Sequence, residues 1–459
     1  IRSIVQGWIE CLGPTTAQAL AARLGLSQNN VDMALALLEA DGLVLQGRFT
    51  PGEANGAVEW CDRRLLARIH RLTLGRLRRE IESVSAVDFI RFLLRWQHVY
   101  PGSQLHGREG ILQVIGQLQG LELPAPAWER DVLPARIAQY NPADLEALCL
   151  SGHLAWGRLR PHNGIPANED ADEAPSGAPR RLQRPTRSAP LAFVLREDLP
   201  HFTDPSPISL ESINGLSVAA REVASYLEEK GASFLTDIAR GIGRLPAQVE
   251  EALWELVACG LVTGDGIAGL RSLLMSSEKR ERYRRFRAVR GGMARQRLMP
   301  VGRWALLRTE PTDGKSDKEE SAEIMARQLL RRYGVVFRDL LAREGRAPSW
   351  RVLLNIYRRM EARGEIRGGR FVAGFVGEQF ALPEAVEVLR MVRRRKDENE
   401  TVIVASADPL NLVGVLTPGA RVSPLSNQVI TYQNGVPVDV GDLGAVRHRL
   451  HARGSAVPA

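Results

Sequence analysis

Cysteine is scarce in this 459-residue chain. Cys11, Cys61, Cys149 and Cys259 stand far apart, and no CxxC pair occurs. That spacing argues against a disulfide framework or a zinc ribbon and fits a reducing cytoplasm. No run of about 18 apolar residues exists, so no membrane span is expected. The eight histidines form no cluster with metal-ligand spacing. HExxH, GxSxG, a Walker motif and a Cys–His pair are all missing, and Gly314-Lys315-Ser316 lacks the glycine four residues earlier that a phosphate loop needs. The expectation is therefore no metal, no cofactor and no nucleotide hydrolysis within these residues. No signal peptide is visible, and the first residue is Ile1 rather than Met. A piece of a longer protein is expected.

What is present is an ordinary apolar share of 44%, with 25% charged residues and a net charge of +8 at a pI near 9.6. The excess is mostly arginine, which grips phosphate through a planar fork, and a polyanion partner fits it. The length suggests roughly three or more domains.

One stretch is echoed along the chain. Thr15 to Phe49 reads TTAQALAARLGLSQNNVDMALALLEADGLVLQGRF. Thr15 or Thr16 can cap a helix ended by Gly25, and Ser27 can cap a second helix with Val31, Ala34, Leu35 and Leu38 on one stripe. Gly42 ends that helix, and Leu43-Val44-Leu45 is β-prone. Helix, turn, helix and hairpin is the order of a winged helix, whose helix after the turn is the one usually laid into a DNA groove. A shift of 218 residues carries Val31, Leu35, Leu38 and Gly42 onto Val249, Leu253, Leu256 and Gly260. A shift of 322 carries them onto Leu353, Tyr357, Met360 and Gly364, and Gly47-Arg48-Phe49 onto Gly369-Arg370-Phe371. The interval from cap to glycine is fifteen residues in all three copies. A weaker copy ends at Cys149-Leu150-Ser151-Gly152-His153-Leu154, with Asn141-Pro142 opening its last helix.

The expected fold is mainly α with small β-wings: tandem winged-helix modules plus a small C-terminal β-barrel. The expected divisions are a first winged helix and basic helix at 1–82 and a second module at 83–160. The stretch 161–190, rich in Pro, Ala, Asp, Glu and Arg, reads as a flexible linker or large surface loop. A strand and third module span 191–275, and a basic segment, a strand and a charged loop span 276–320. The fourth module covers 321–396 and a barrel or sheet covers 397–459. In that tail 401–404, 412–416, 428–432 and 436–438 read as strands that those near 191 and 304 can join, and Asn434-Gly435 is a hairpin turn signal. Trp96, Trp128 and Trp156 read as core rather than as base-stacking platforms.

A run of longer matches carries a resemblance. EWCDRRLLARIHRLTLGRLRREIE, DFIRFLLRWQHV, QLQGLELPAPAWERDVLPARI and LCLSGHLAWGRLRP follow in order. Together they resemble the region beyond the motor of bacterial large helicase-related (Lhr) proteins. The resemblance implies the extension of a superfamily 2 DNA repair helicase, with DNA as partner, the helicase motor as a further partner and a homo-oligomer as one option. The arrangement is also similar to winged-helix DNA glycosylases, whose Gln-x-Gln motif follows a Leu-Gln-Gly-like stretch. Set on Leu118-Gln119-Gly120-Leu121, its two glutamines fall on Glu122 and Pro124.

Two acidic residues are therefore the catalytic candidates. Glu122 either orients water and stabilises positive charge on a sugar, or serves as a carboxylate bonded to a helix end. Asp408, in an Asp-Pro turn, either takes that role or makes an Asx turn. Asp439 and Asp442 are weaker candidates. The expected DNA contacts are Arg48, Arg284, Arg285, Arg287, Arg351 and Arg370. The first function expected is DNA binding for an Lhr-type helicase with excision of damaged or deaminated bases. The alternative is a non-catalytic DNA-binding and self-association module. Transcription regulation comes third, because no single recognition helix reads as rich in base-contacting side chains.

Overall fold

In a computed structural model, residues 1–50, 58–79, 82–159, 190–203, 216–274, 302–307, 316–395 and 400–452 are described. Two compact units result: Ile1–Glu82 with Gly368–Arg370, and Ser83–Arg367 with Phe371–Ala459.

The first unit holds the first winged helix. Its helices are Arg2–Ile9, Ala17–Leu24 and Gln28–Ala40, and Glu59–Asp62 is the central strand between Thr15–Thr16 and Val44–Gly47. Thr16 caps the second helix, its hydroxyl accepting the Ala19 N–H at 3.1 Å. Val5, Ile9, Leu20, Val31, Leu35 and Leu38 are buried in one core, as the apolar spacing requires. Asp62 accepts the N–H groups of Arg64 and Leu65 at 2.9 Å each and so starts the basic helix Arg63–Arg79.

The second unit repeats the plan. Leu123–Pro124, Pro190–Leu195 and Leu154–Gly157 form the sheet of the second module, with Pro190–Leu195 central. Ser233–Phe234, Arg303–Leu306 and Val262–Gly264 form that of the third, with Arg303–Leu306 central. In the fourth, Val335–Val336 pairs with Gln379–Ala381. The strands near 191 and 304 thus complete the wings of the second and third modules and take no part in the tail sheet. The segment between the paired strands of the second module includes the expected linker at 161–190, nearly all of it outside the described residues.

The repeated helices fall where the glycine spacing puts them. Gln28–Ala40, Pro246–Ala258 and Trp350–Ala362 are each 13 residues long. Gly42, Gly260 and Gly364 follow with φ of 69°, 74° and 77°. A side chain is strained in that left-handed conformation, so glycine closes each helix. The weaker copy is helix Pro142–Leu150, capped by Asn141 and followed by Gly152 at φ 80°.

The tail is an open three-stranded antiparallel sheet among the described residues, not a closed barrel. Thr401–Ala405, Val429–Gln433 and Val436–Gly441 pair in that order, and helix Leu443–Ala452 follows. Asn434 and Gly435 take φ of 51° and 81°, the pair of positive values a tight hairpin turn demands. The expected strand at 412–416 is a turn instead. Gly414 has φ +72°, and its N–H donates to the Thr417 carbonyl at 2.9 Å, which closes the turn.

The cysteines give one test of this packing. Cys61, Cys149 and Cys259 are buried and Cys11 is exposed. Burial pushes the Cys149 thiol up to about 12 and that of Cys259 up to about 11. Thiolate is the reactive form, so at pH 8 both remain protonated. Maleimide is expected to label Cys11 alone in the native chain and all four thiols in denaturant. Native labelling of Cys149 would contradict the core described above.

Candidate active site and nucleic-acid interface

Glu122 lies between Gly120 and the short strand Leu123–Pro124. Its Oε1 accepts the Leu159 N–H at 2.7 Å. The side chain is half-buried and lines a cavity of about 470 Å³. Opposite stand Tyr333 and Arg343 of the fourth module and Arg421 and Ser423 of the tail. One carboxylate is therefore set beside two guanidinium groups.

The walls are held by buried ionic contacts. Arg332 donates to the Gln119 carbonyl and to Glu344, which also accepts the Tyr333 hydroxyl at 2.7 Å. Burial beside the Glu344 carboxylate holds the Tyr333 phenol well above its ordinary range, so it stays a neutral donor. Gln119 accepts the Leu195 N–H at 3.1 Å and donates to Asp198 at 2.6 Å. The glutamine next to the candidate acid is thus occupied in structure.

Asp408 has a different setting. It is 1% exposed, and both carboxylate oxygens face Arg136, at 2.7 and 2.9 Å. Oδ1 also accepts the Leu410 N–H at 2.9 Å, which is an Asx turn. Arg136 is fully buried and donates further to Gln97 at 3.0 Å. The neighbours Ala407 and Pro409 line the Glu122 cavity, and Arg343 donates to the Asp408 carbonyl at 3.3 Å. The carboxylate braces the cavity and is turned away from it. Asp439 is bound by Arg449 at 2.7 and 2.9 Å, and Asp442 accepts the Gly444 N–H at 2.8 Å.

The four helices that winged helices offer to DNA differ in charge. Gln28–Ala40, Pro142–Leu150 and Pro246–Ala258 contain no Lys or Arg. In the second module Arg271 holds Glu129 and Glu146 and donates to the Pro142 carbonyl, at 2.7 to 3.2 Å, so that helix is tied into the protein. Trp350–Ala362 is the exception. Arg351, Asn355, Arg358 and Arg359 are exposed at i, i+4, i+7 and i+8, one stripe opposite buried Leu353, Tyr357 and Met360. Sequence reading found Arg351 and missed the stripe, although helical spacing alone reveals it. Arg48 and Arg370 are exposed. Arg284, Arg285 and Arg287 lie outside the described residues. No group of acidic, Cys or His side chains suited to a metal occurs among the described residues, and no described helix is long and apolar enough to cross a membrane.

Residues 84–170 and 315–401 each match a family model described as large helicase-related protein, winged-helix domain. The chain carries the winged-helix domains of the Lhr family. It is 31% identical over 423 residues to a protein of Mycolicibacterium smegmatis named Lhr helicase/probable uracil glycosylase, covering 88% of this chain and 26% of that one. Over 455 residues it is 26% identical to the Lhr helicase/uracil glycosylase of Escherichia coli, covering 91% of this chain and 27% of the relative. The chain thus spans about a quarter of the length of these curated Lhr relatives. The two matched Lhr domains include the two walls that carry Glu122 and Arg343.

The arginine stripe makes a prediction of its own. Arg351→Glu with Arg359→Glu is expected to weaken DNA binding at low salt and to flatten the slope of log K against log salt by about one per lost phosphate contact. Fluorescence anisotropy on a labelled strand from 50 to 200 mM salt reads it. An unchanged slope assigns the contact elsewhere.

Proposed function

We propose that this chain is a DNA-binding part of an Lhr-type helicase and that the Glu122 cavity hydrolyses the N-glycosidic bond of a flipped deaminated base. The observation that carries the reading is the cavity itself. About 470 Å³ falls within the range of small-ligand sites, and its lining combines a single carboxylate with two guanidinium groups suited to flanking phosphates. The relatives' names, which include uracil glycosylase, support the choice of base.

The chemistry follows from the charge. As the C1′–N bond breaks, the base leaves with the bonding pair and the sugar becomes positive. Glu122 stabilises that charge and takes a proton from the water whose oxygen bonds to C1′. The base departs as the anion and takes a proton from solvent, and Glu122 releases the one it took from the water. The base must first leave its stack, which the DNA-binding modules around the cavity permit. The helicase motor is the other partner in this reading, and the cytoplasm its setting.

The test is an excision assay with the 459-residue chain on single strands and duplexes carrying uracil, with thymine as control. Alkali-labile sites at uracil alone support the proposal. Salt-dependent binding without excision favours the non-catalytic, self-associating module. Exposed Met33 and Leu37 on the first module's groove helix, which carries no Lys or Arg, favour that second reading.

A further inference from the structure

A larger cavity, of about 1120 Å³, lies apart from Glu122 in the same unit. Helices Ala86–Trp96, Gly107–Leu118 and Pro383–Arg394 and the end of Ser316–Tyr333 contribute its walls. Leu105, Leu112, Val388 and Met391 supply apolar surface. Trp96 stacks on Phe92 with ring centroids 5.5 Å apart and also lines the space. Its indole N–H is taken by the Arg331 carbonyl at 2.9 Å, so toward a ligand it offers only its π surface.

Polar and charged groups, Arg95 and His153 among them, supply the rest of the lining. His98 stands at φ 59°, in the left-handed region. Its Nδ1 meets the Ser103 carbonyl at 3.0 Å, and a carbonyl only accepts, so Nδ1 carries the proton. Burial pushes this imidazole down from its ordinary value, which leaves Nε2 an acceptor at neutral pH. Arg331 and Arg196 bring positive charge, and Glu109 and Glu197 negative charge. The Arg331 side chain is exposed and forms no ion pair among the described residues.

We infer that this cavity is a second binding site, taking one nucleoside phosphate with its base against Trp96 and its phosphate at Arg331. An aromatic platform with an apolar floor suits any base face, the His98 acceptor suits an exocyclic amine, and a free guanidinium suits a phosphate. The inference does not rest on catalysis at Glu122. The nucleoside phosphate is either a free nucleotide or one unstacked residue of a single strand.

The experiment titrates the 459-residue chain with deoxyadenosine monophosphate, deoxyadenosine and a four-residue oligodeoxyadenylate, following tryptophan fluorescence and heat. Both phosphate-bearing probes are expected to quench fluorescence, and Trp96→Phe to remove that quenching. Arg331→Glu is expected to weaken binding about tenfold, as loss of a charge-assisted contact does. This substitution leaves the Trp96-to-carbonyl hydrogen bond in place, so calorimetry on it decides the matter even if Trp96→Phe folds poorly. Equal binding of monomer and oligomer assigns a free-nucleotide site, and binding of the oligomer alone assigns a strand site. Absence of binding by both phosphate-bearing probes at millimolar concentration, or affinity unchanged by Arg331→Glu, overturns the inference. Neither readout involves excision, so it stands or falls separately from the Glu122 proposal.

Discussion

Glu122→Gln is expected to lower uracil excision by roughly two to four orders of magnitude while the chain still folds and binds DNA. The amide keeps an oxygen in position for the Leu159 N–H that Glu122 Oε1 now accepts at 2.7 Å. It removes only the negative charge and the proton-accepting capacity. The loss therefore appears in the single-turnover rate and not in the affinity for a non-cleavable strand. Glu122→Ala removes the hydrogen bond as well and is expected to add a stability defect, so the glutamine variant is the decisive one. Excision at the wild-type rate in Glu122→Gln would remove this residue from the chemistry.

Asp408→Ala is expected to cost about 3–5 kcal/mol of stability, the range for stranding one half of a buried ion pair. Arg136 is fully buried, and the substitution deletes both of its contacts at 2.7 and 2.9 Å along with the Asx turn to Leu410. Replacing both partners, as Arg136→Met with Asp408→Leu, is expected to recover much of the loss, since no charge is then left unpaired. Denaturant midpoints and hydrogen exchange around residues 132–136 and 408–412 measure it. An Asp408→Ala chain as stable as the parent, yet inactive, would return Asp408 to the catalytic list.

Local patterns were legible and distant partnerships were not. The Ser27–Gly42 spacing and its two copies located three helices because apolar period, cap and terminal glycine all act within a few turns. The Asn434-Gly435 turn was legible for the same reason. The partner of Pro190–Leu195 was not, because that strand pairs with Leu154–Gly157 across a long intervening segment. Asp408 read as a candidate acid because its partner, Arg136, lies 272 residues away in sequence. Glu122 was reached through a motif resemblance, whereas Tyr333, Arg343 and Arg421 carry no local signal and only folding brings them to its cavity. The choice between barrel and sheet was not legible for a simpler reason: β-prone runs do not say which edge they join, and among the described residues the tail is a sheet.

Strand order in the modules also bears on how such a chain can change length. In the first three, the last strand of each module inserts between the other two, and the segment before it joins two antiparallel neighbours. Those joins span 48–58, 158–189 and 265–302. Closing a longer loop costs only about 0.6 kcal/mol per doubling, while every strand pair and helix contact is kept. The 158–189 span is thus a place where this architecture absorbs insertions and deletions at low cost, whereas 265–302 carries helix Ala268–Leu274, whose Arg271 is tied to Glu129 and Glu146.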